Sequence, residues 1–248
     1  MALGRFRAVL FDLGETLLDT GGINPDFAEW DRHCFGAVYA YLSTLGRSLP
    51  PWETFLRMAS DRLNQQWDEA RQFHRAVHIG PILWQTLAEL NVHLSPPEAA
   101  ECLQRHYSWC DETARLYPEV LGVLRSLCMQ GIKLGLISNT IWPTECHEPT
   151  LARLGLQDWL DVRLYSADAG YQKPHPAIFR EALRRLGIPA EEAAFVGDRL
   201  ATDVAGAQSV GMKGVLRLAP YRIEEDAHIQ PDACIHSLDE LPQVLRTL

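Results

Sequence analysis

No stretch of the 248-residue chain approaches the ~20 consecutive apolar residues that a membrane-spanning helix needs. The six cysteines, Cys34, Cys102, Cys110, Cys128, Cys146 and Cys234, contain no C-x-x-C pair. That argues against the common zinc and dithiol signatures, so reduced thiols are expected, most of them in packed interiors. Basic charge is also short, with 23 Lys and Arg against 32 Asp and Glu and a formal net charge of −9. A nucleic-acid or anionic-membrane partner needs a cationic surface, so neither is expected. A small anionic substrate remains compatible, because a few local cations or a metal dominate a site. The opening "MALGRFRAVLF" lacks the longer apolar region and cleavage site of a signal peptide, and the expected compartment is the cytoplasm. Internal repeats and low-complexity tracts are absent too.

What is present is ordinary globular composition, 47% hydrophobic and 22% charged, with enough length for a full core. "AVLF" (8–11) is too short for a helix and reads as a strand buried on both faces. From about residue 118 the chain alternates. "PEVLGVLRSLCMQG" reads as a helix, "KLGLIS" (133–138) as a strand, and "TLARLG" closes a second helix on Gly155. "VRLYS" (162–166), "AAFVG" and "KGVLRL" read as strands; "PAIFREALRRLG" and "DVAGAQSVG" read as helices. A final helix opens at Ser237 with Glu240 three residues on, a capping-box spacing. Such alternation predicts a parallel sheet covered on both faces. Residues 25 to about 113 differ: helical patterns recur over 27–41, 52–73, 80–91 and 96–110, with no convincing strand.

Chemistry-bearing residues fall at the strand ends, where open α/β sheets place their ligands. Asp12 follows "AVLF", Ser138 ends "KLGLIS", and Asp198 follows "AAFVG", with Asp203 five residues later. Lys173 lies in the loop "AGYQKPHPAIF" ahead of a proline-started helix. Any one of these alone would be read as a cap or turn residue. Together they describe a site for an anion and a divalent metal: hard oxygen ligands suited to Mg²⁺ from Asp12 and Asp198, phosphoryl contacts from Ser138 and nearby amides, and charge compensation from Lys173.

Four segments, "FDLGETL", "LISNT", "GYQKPHPAIF" and "FVGDRLATDVAGA", resemble in order the motifs of the haloacid dehalogenase superfamily. The resemblance runs across nearly the whole chain and fits the phosphatase-like branch with a helical cap. It implies an α/β fold with a Rossmann-like parallel-sheet core, formed by residues 1–20 and 114–248, and an all-helical cap over 21–113. It implies Asp12 as a nucleophile that becomes phosphorylated, and Ser138, Asn139 and Lys173 as phosphate-binding groups, Lys173 also steadying the nucleophile. Asp12, the Gly14 main-chain carbonyl and Asp198 would bind Mg²⁺, with Asp203 as a ligand or a partner of one. The substrate class implied is a small phosphorylated metabolite.

Gly14 departs from the family pattern. Phosphatases of the family usually carry there a second aspartate that protonates the leaving oxygen and then activates water. Glycine keeps the carbonyl but supplies no proton, and general acid–base catalysis is worth ~10²–10⁴-fold. Three expectations follow: a leaving group that needs little protonation (acyl phosphate, aryl phosphate or anhydride); a stand-in acid, either Glu15 or a cap histidine among His33, His74 and His78; or a protein that binds its ligand and turns over poorly. Metal-independent dehalogenation is the alternative enzyme, since a halide leaves without a proton. That branch, however, places an aromatic at this position and lacks the acidic pair of "GDRLATD". Five tryptophans, Trp30, Trp52, Trp67, Trp84 and Trp109, are expected in the core of the helical region. "RQFHRAVH" (71–78) is expected as a solvated helix face that could alternatively present a cation to substrate.

Overall fold

The computed structural model describes residues 5–19, 27–218 and 228–248. Strand β1 (Ala8–Phe11) is fully buried, as its apolar run requires. Its side chains alternate between two cores: Val9 and Phe11 face one, Ala8 and Leu10 the other. After β1 come β2 (Leu18–Asp19), helices α1 (Phe27–Thr44), α2 (Trp52–Arg71), α3 (Ile79–Glu89) and α4 (Pro96–Thr113), and β3 (Arg115–Leu116). The rest alternates: α5 (Val120–Met129), β4 (Lys133–Ser138), α6 (Thr144–Arg153), β5 (Val162–Tyr165), α7 (Ser166–Ala169), α8 (Pro176–Leu186) and β6 (Ala193–Gly197). It ends with α9 (Ala205–Ser209), β7 (Lys213–Arg217), β8 (Ala233–Ile235) and α10 (Leu241–Thr247).

Six strands form one parallel sheet in the order β5-β4-β1-β6-β7-β8, so the first strand lies in its interior, flanked by β4 and β6. Phe11 pairs with Leu136 on one side and Val196 on the other. That register brings Asp12, Ser138 and Asp198 to one edge, each within two residues of a paired position. Helices cover both faces, as the alternation predicts. Val123, Leu124 and Leu127 of α5 and Leu241 and Leu245 of α10 pack on one face; Ile178, Phe179 and Ala182 of α8 and Ala207 of α9 pack on the other. Each of the Val, Leu, Ile and Phe side chains among them contributes roughly 1.5–3 kcal/mol when fully buried.

The small strands were not legible. β2 and β3 pair antiparallel over two residues each, at the two places where the chain enters and leaves the helical region. β8 has three residues. Such short segments carry no periodicity. "DVAGAQSVG" is also more irregular than a plain helix: the turn from Leu200 to Val204 is widened, with Val204 N–H donating to the Arg199 carbonyl five residues back.

Helices α1–α4 build their own core around Phe35, Val38, Leu42, Phe55, Ile82, Leu83 and Leu103. A capping box (Ser95 with Glu98) starts α4, and the His78 side chain caps α3. The tryptophans are not at its centre. Trp30, Trp52, Trp67 and Trp84 are only partly buried against it, and Trp109 stacks on His33. The indole buried in this core is instead Trp142, contributed with Ile141 and Cys146 from the segment after β4. The expectation for 71–78 also needs correcting. α2 stops at Arg71, and the following residues run as a loop bound to the chain around Lys173. Ala76 N–H donates to the Gly170 carbonyl (3.1 Å), and Gln172 N–H to the His74 carbonyl (2.9 Å). Residue 21, the expected start of the helical insertion, lies outside the described residues.

Candidate active site

Asp12 is the first residue past β1, its N–H held by the Val196 carbonyl of β6 at 2.9 Å. Lys173 reaches it from the loop before α8, with Nζ donating to Asp12 Oδ1 at 2.5 Å. The same Nζ lies 2.7 Å from Asp203 Oδ1 in an ion pair, although that oxygen has no aligned hydrogen bond. The ammonium also sits 5.0 Å from the centre of the Phe195 ring. Lys173, Asp198, Asp203 and Ser138 are buried, and the Asp12 side chain is 13% exposed. Asp12, Asp198 and Asp203 each offer one oxygen within 4.8 Å of the other two.

Asp203 owes its position to the widened turn and to a glycine. Its Oδ2 accepts the Arg199 N–H at 3.0 Å, and a Cβ at Gly197 would collide with its carboxyl. Glycine at 197 is therefore required by close approach, not by backbone conformation. Burial raises the Asp12 carboxyl above its ordinary value, and the neighbouring Asp203 adds to this against the pull of Lys173. Burial alone would depress Lys173, but Asp12 and Asp203 outweigh it and hold the ammonium charged. The donor set fits a divalent cation. Lys173 is shared between Asp12 and Asp203, and a hard divalent cation would offset the negative charge of the three clustered carboxylates.

Asn139 spends its amide on the backbone of Lys173. Nδ2 donates to the Lys173 carbonyl (2.9 Å), and Oδ1 accepts its N–H (2.7 Å). It fixes the lysine loop to the end of β4. Gly14 has ordinary backbone torsions, and a Cβ there would meet nothing within 4 Å. The left-handed residue is its neighbour Glu15, at φ +56°.

None of the expected stand-in acids is placed as an idle proton donor. The Glu15 carboxylate accepts from the Tyr117 hydroxyl at 2.9 Å and is buried. His78 Nδ1 accepts the Gly80 N–H at 3.0 Å, while its Nε2 faces Asp168 at 4.0 Å. His33 stacks on Trp109 and lies 3.9 Å from Glu29; His74 is exposed. Arg32, in α1, is paired with Glu53 on the surface. Sequence reading missed Tyr117 and Arg217, which converge on Glu15. A charged residue closing the apolar run "KGVLR" was the available signal.

The comparisons with known proteins agree with this geometry. A family model described as haloacid dehalogenase-like hydrolase matches residues 6–211. The chain belongs to that family. The glyceraldehyde 3-phosphate phosphatase of Methanopyrus kandleri is 38% identical over 135 residues, which are 53% of this chain and 57% of that protein. The chain thus matches little more than half the length of that relative. The glyceraldehyde 3-phosphate phosphatase of Methanothermobacter thermautotrophicus is 31% identical over 98% of this chain and 99% of its own length. Among solved structures, a 2-haloacid dehalogenase from Pseudomonas syringae is 29% identical, covers 98% of this chain and 99% of its own, and superposes with a TM-score of 0.69. This haloacid dehalogenase-like hydrolase therefore has both phosphatases and a dehalogenase among its relatives. Among the described residues no helix is long and apolar enough to cross a membrane.

Proposed function

We propose that the protein is a magnesium-dependent phosphatase that hydrolyses a small phosphorylated metabolite through a phosphorylated Asp12. The observation that carries the reading is the cluster itself: three carboxylate oxygens within 4.8 Å of one another, with one lysine shared between Asp12 and Asp203. Asp12, Asp198 and the Gly14 carbonyl would hold the ion, with Asp203 as a ligand or as a partner of Lys173. Bound there, Mg²⁺ would neutralise phosphoryl oxygens and lower the repulsion between the ester and Asp12. The chain's own groups do the rest. Asp12 attacks phosphorus, Lys173 compensates the charge on nucleophile and phosphoryl group, and Ser138 binds a phosphoryl oxygen. Asn139 acts at one remove, keeping Lys173 aimed. Residues 21–113 would serve as the cap over a core of 1–20 and 114–248.

Gly14 shapes the substrate range. Glu15, His33 and His78 are engaged in contacts of their own, which favours substrates whose leaving group departs without a proton, such as acyl phosphates, aryl phosphates and anhydrides. Dehalogenation is favoured by the likeness to the Pseudomonas enzyme and by the missing acid. The acidic cluster weighs against it, because a metal-independent displacement has no use for Asp198 and Asp203. A screen of acyl, aryl, sugar and nucleotide phosphates, with a 2-haloacid in parallel, tests the reading. Phosphate release that stops with chelator and returns with Mg²⁺ is expected, fastest on the acyl and aryl members. Halide release indifferent to chelator would overturn it, and metal-dependent phosphate binding without release would make the protein a binder.

A further inference from the structure

Arg217 closes β7 and is 3% exposed, beside the catalytic strand end. Gly197 of β6 pairs with Leu216, so the next residues on the two strands are Asp198 and Arg217. Arg217 Nη1 donates to the Glu15 carbonyl at 2.5 Å, and its guanidinium carbon lies 3.7 Å from the centre of the Tyr117 ring. Nη2 faces Glu119 at 3.6 Å. Glu15 is thereby tied at three points at least. Its N–H donates to the Leu18 carbonyl (2.7 Å), its carbonyl accepts from Arg217, and its carboxylate accepts from Tyr117 (2.9 Å).

That anchoring has a consequence for Gly14. The carbonyl of Gly14 belongs to the peptide plane joining it to Glu15, so its direction depends on the φ of Glu15. Glu15 holds a left-handed φ that a residue with a side chain rarely adopts, and such torsions persist only where the surroundings over-determine them. We propose that Arg217 and Tyr117 are positioning residues that hold Glu15 left-handed and so aim the Gly14 carbonyl at the metal. This rests on the magnesium reading of the preceding subsection. Neither residue is assigned a contact with substrate. The clamp also reaches the chain returning from the helical region, because Tyr117 N–H donates to the Leu17 carbonyl at 3.2 Å.

The test is titration of the full chain with Mg²⁺ alone by calorimetry, alongside the Mg²⁺ dependence of phosphate release and thermal unfolding. Arg217→Met should weaken Mg²⁺ binding about 10-fold and Tyr117→Phe about 3-fold, as expected for groups that orient metal ligands. In both, kcat at saturating Mg²⁺ should stay within about 3-fold of the wild type, since the reacting groups are untouched. Glu15→Gly and Glu15→Ala remove the same carboxylate, but only glycine accepts the left-handed torsion freely. Mg²⁺ should therefore bind the glycine variant more tightly than the alanine variant. Should Arg217→Met be too unstable to titrate, Tyr117→Phe and the Glu15 pair carry the test. Folded variants that all bind Mg²⁺ like the wild type, with only lower melting temperatures, would overturn the clamp and leave the phosphatase reading standing. A wild type that binds no Mg²⁺ would overturn both.

Discussion

Two buried polar clusters lie close to the end of β4, and they are built on opposite terms. One is the set Asp12, Lys173, Asp198 and Asp203, three clustered carboxyl groups with a lysine shared between two of them. The other is a seam between the helical insertion and the segment after β4. There Trp142 Nε1 donates to His106 Nδ1 (3.0 Å), and His147 bridges the hydroxyls of Tyr107 and Thr140, each at 3.1 Å. His147 also lies flat on Tyr165, with ring centres 4.3 Å apart. Burial pushes His147 down to about 4 and His106 to about 3, so the seam is neutral at physiological pH. The seam is uncharged, and its hydrogen bonds leave His106 Nε2 and the Tyr165 hydroxyl buried without a partner among the described residues. A buried cluster of ionisable groups carries a desolvation cost that a bound cation would offset. The contrast sets a neutral polar seam against the charged cluster proposed above as the site of chemistry.

Removing Lys173 from the charged cluster should have the largest effect. Lys173→Ala leaves Asp12 and Asp203 facing each other without compensation, and kcat should fall by about 10³-fold, the scale for losing a preorganised charge at a reacting centre. Melting temperature should change far less than rate; a variant retaining full activity would erase the distinction between the clusters.

Adding an acid to the same cluster should act in the other direction. Gly14 has free space and unexceptional torsions, so Gly14→Asp is sterically open, and Gly14→Ala controls for bulk. Turnover of alkyl phosphates should rise by about 10–10²-fold for Asp over Ala, part of the range general acid catalysis supplies. Aryl phosphates should gain less, because their leaving group needs little protonation. Equal gains on both classes, with no initial burst, would mean that leaving-group protonation was never limiting.

The neutral seam should respond to pH in stability. Between the ordinary histidine value of 6.5 and about 4, the folded protein holds His147 neutral while the unfolded chain protonates it. The folded state binds fewer protons there, so the contribution is fully present above pH 6.5 and is lost as pH falls toward 4. The loss attributable to this residue is roughly 3 kcal/mol at most. His147→Phe keeps a flat ring and removes the titration, so unfolding measured across that window should show a shallower pH slope than the wild type. Parallel slopes would show that His147 is not held neutral.

The two clusters were unequally legible in the sequence. The charged one is written in single residues directly after apolar strands, where the end of a strand dictates position, so Asp12, Ser138 and Asp198 could be aligned before any coordinates. The seam was hidden because Trp142 and His147 sit in a segment that reads as core chain yet packs into the helical insertion, a contact that no local periodicity encodes. For the same reason the tryptophans of the insertion were expected inside it, whereas Phe, Leu and Val fill its centre. The end of α2 was misjudged because "RQFHRAVH" has helical composition, while its backbone bonds go to Gly170 and Gln172, remote in sequence. Asn139, expected among the phosphate-binding groups, bonds the Lys173 backbone through its amide, a contact remote in sequence that no local pattern encodes.

In the proposed reaction Asp12 carries the phosphoryl group. Gly14 offers no base to activate water, so breakdown of the phosphorylated enzyme should be the slow step on an aryl phosphate. Acid-quenching the wild type during turnover with Mg²⁺, then digesting it and measuring peptide masses, should show one added phosphoryl group on the peptide containing Asp12. Asp12→Asn should show none and release no phosphate. Sustained phosphate release by the Asp12→Asn variant, or a phosphoryl group on any other residue, would contradict the account.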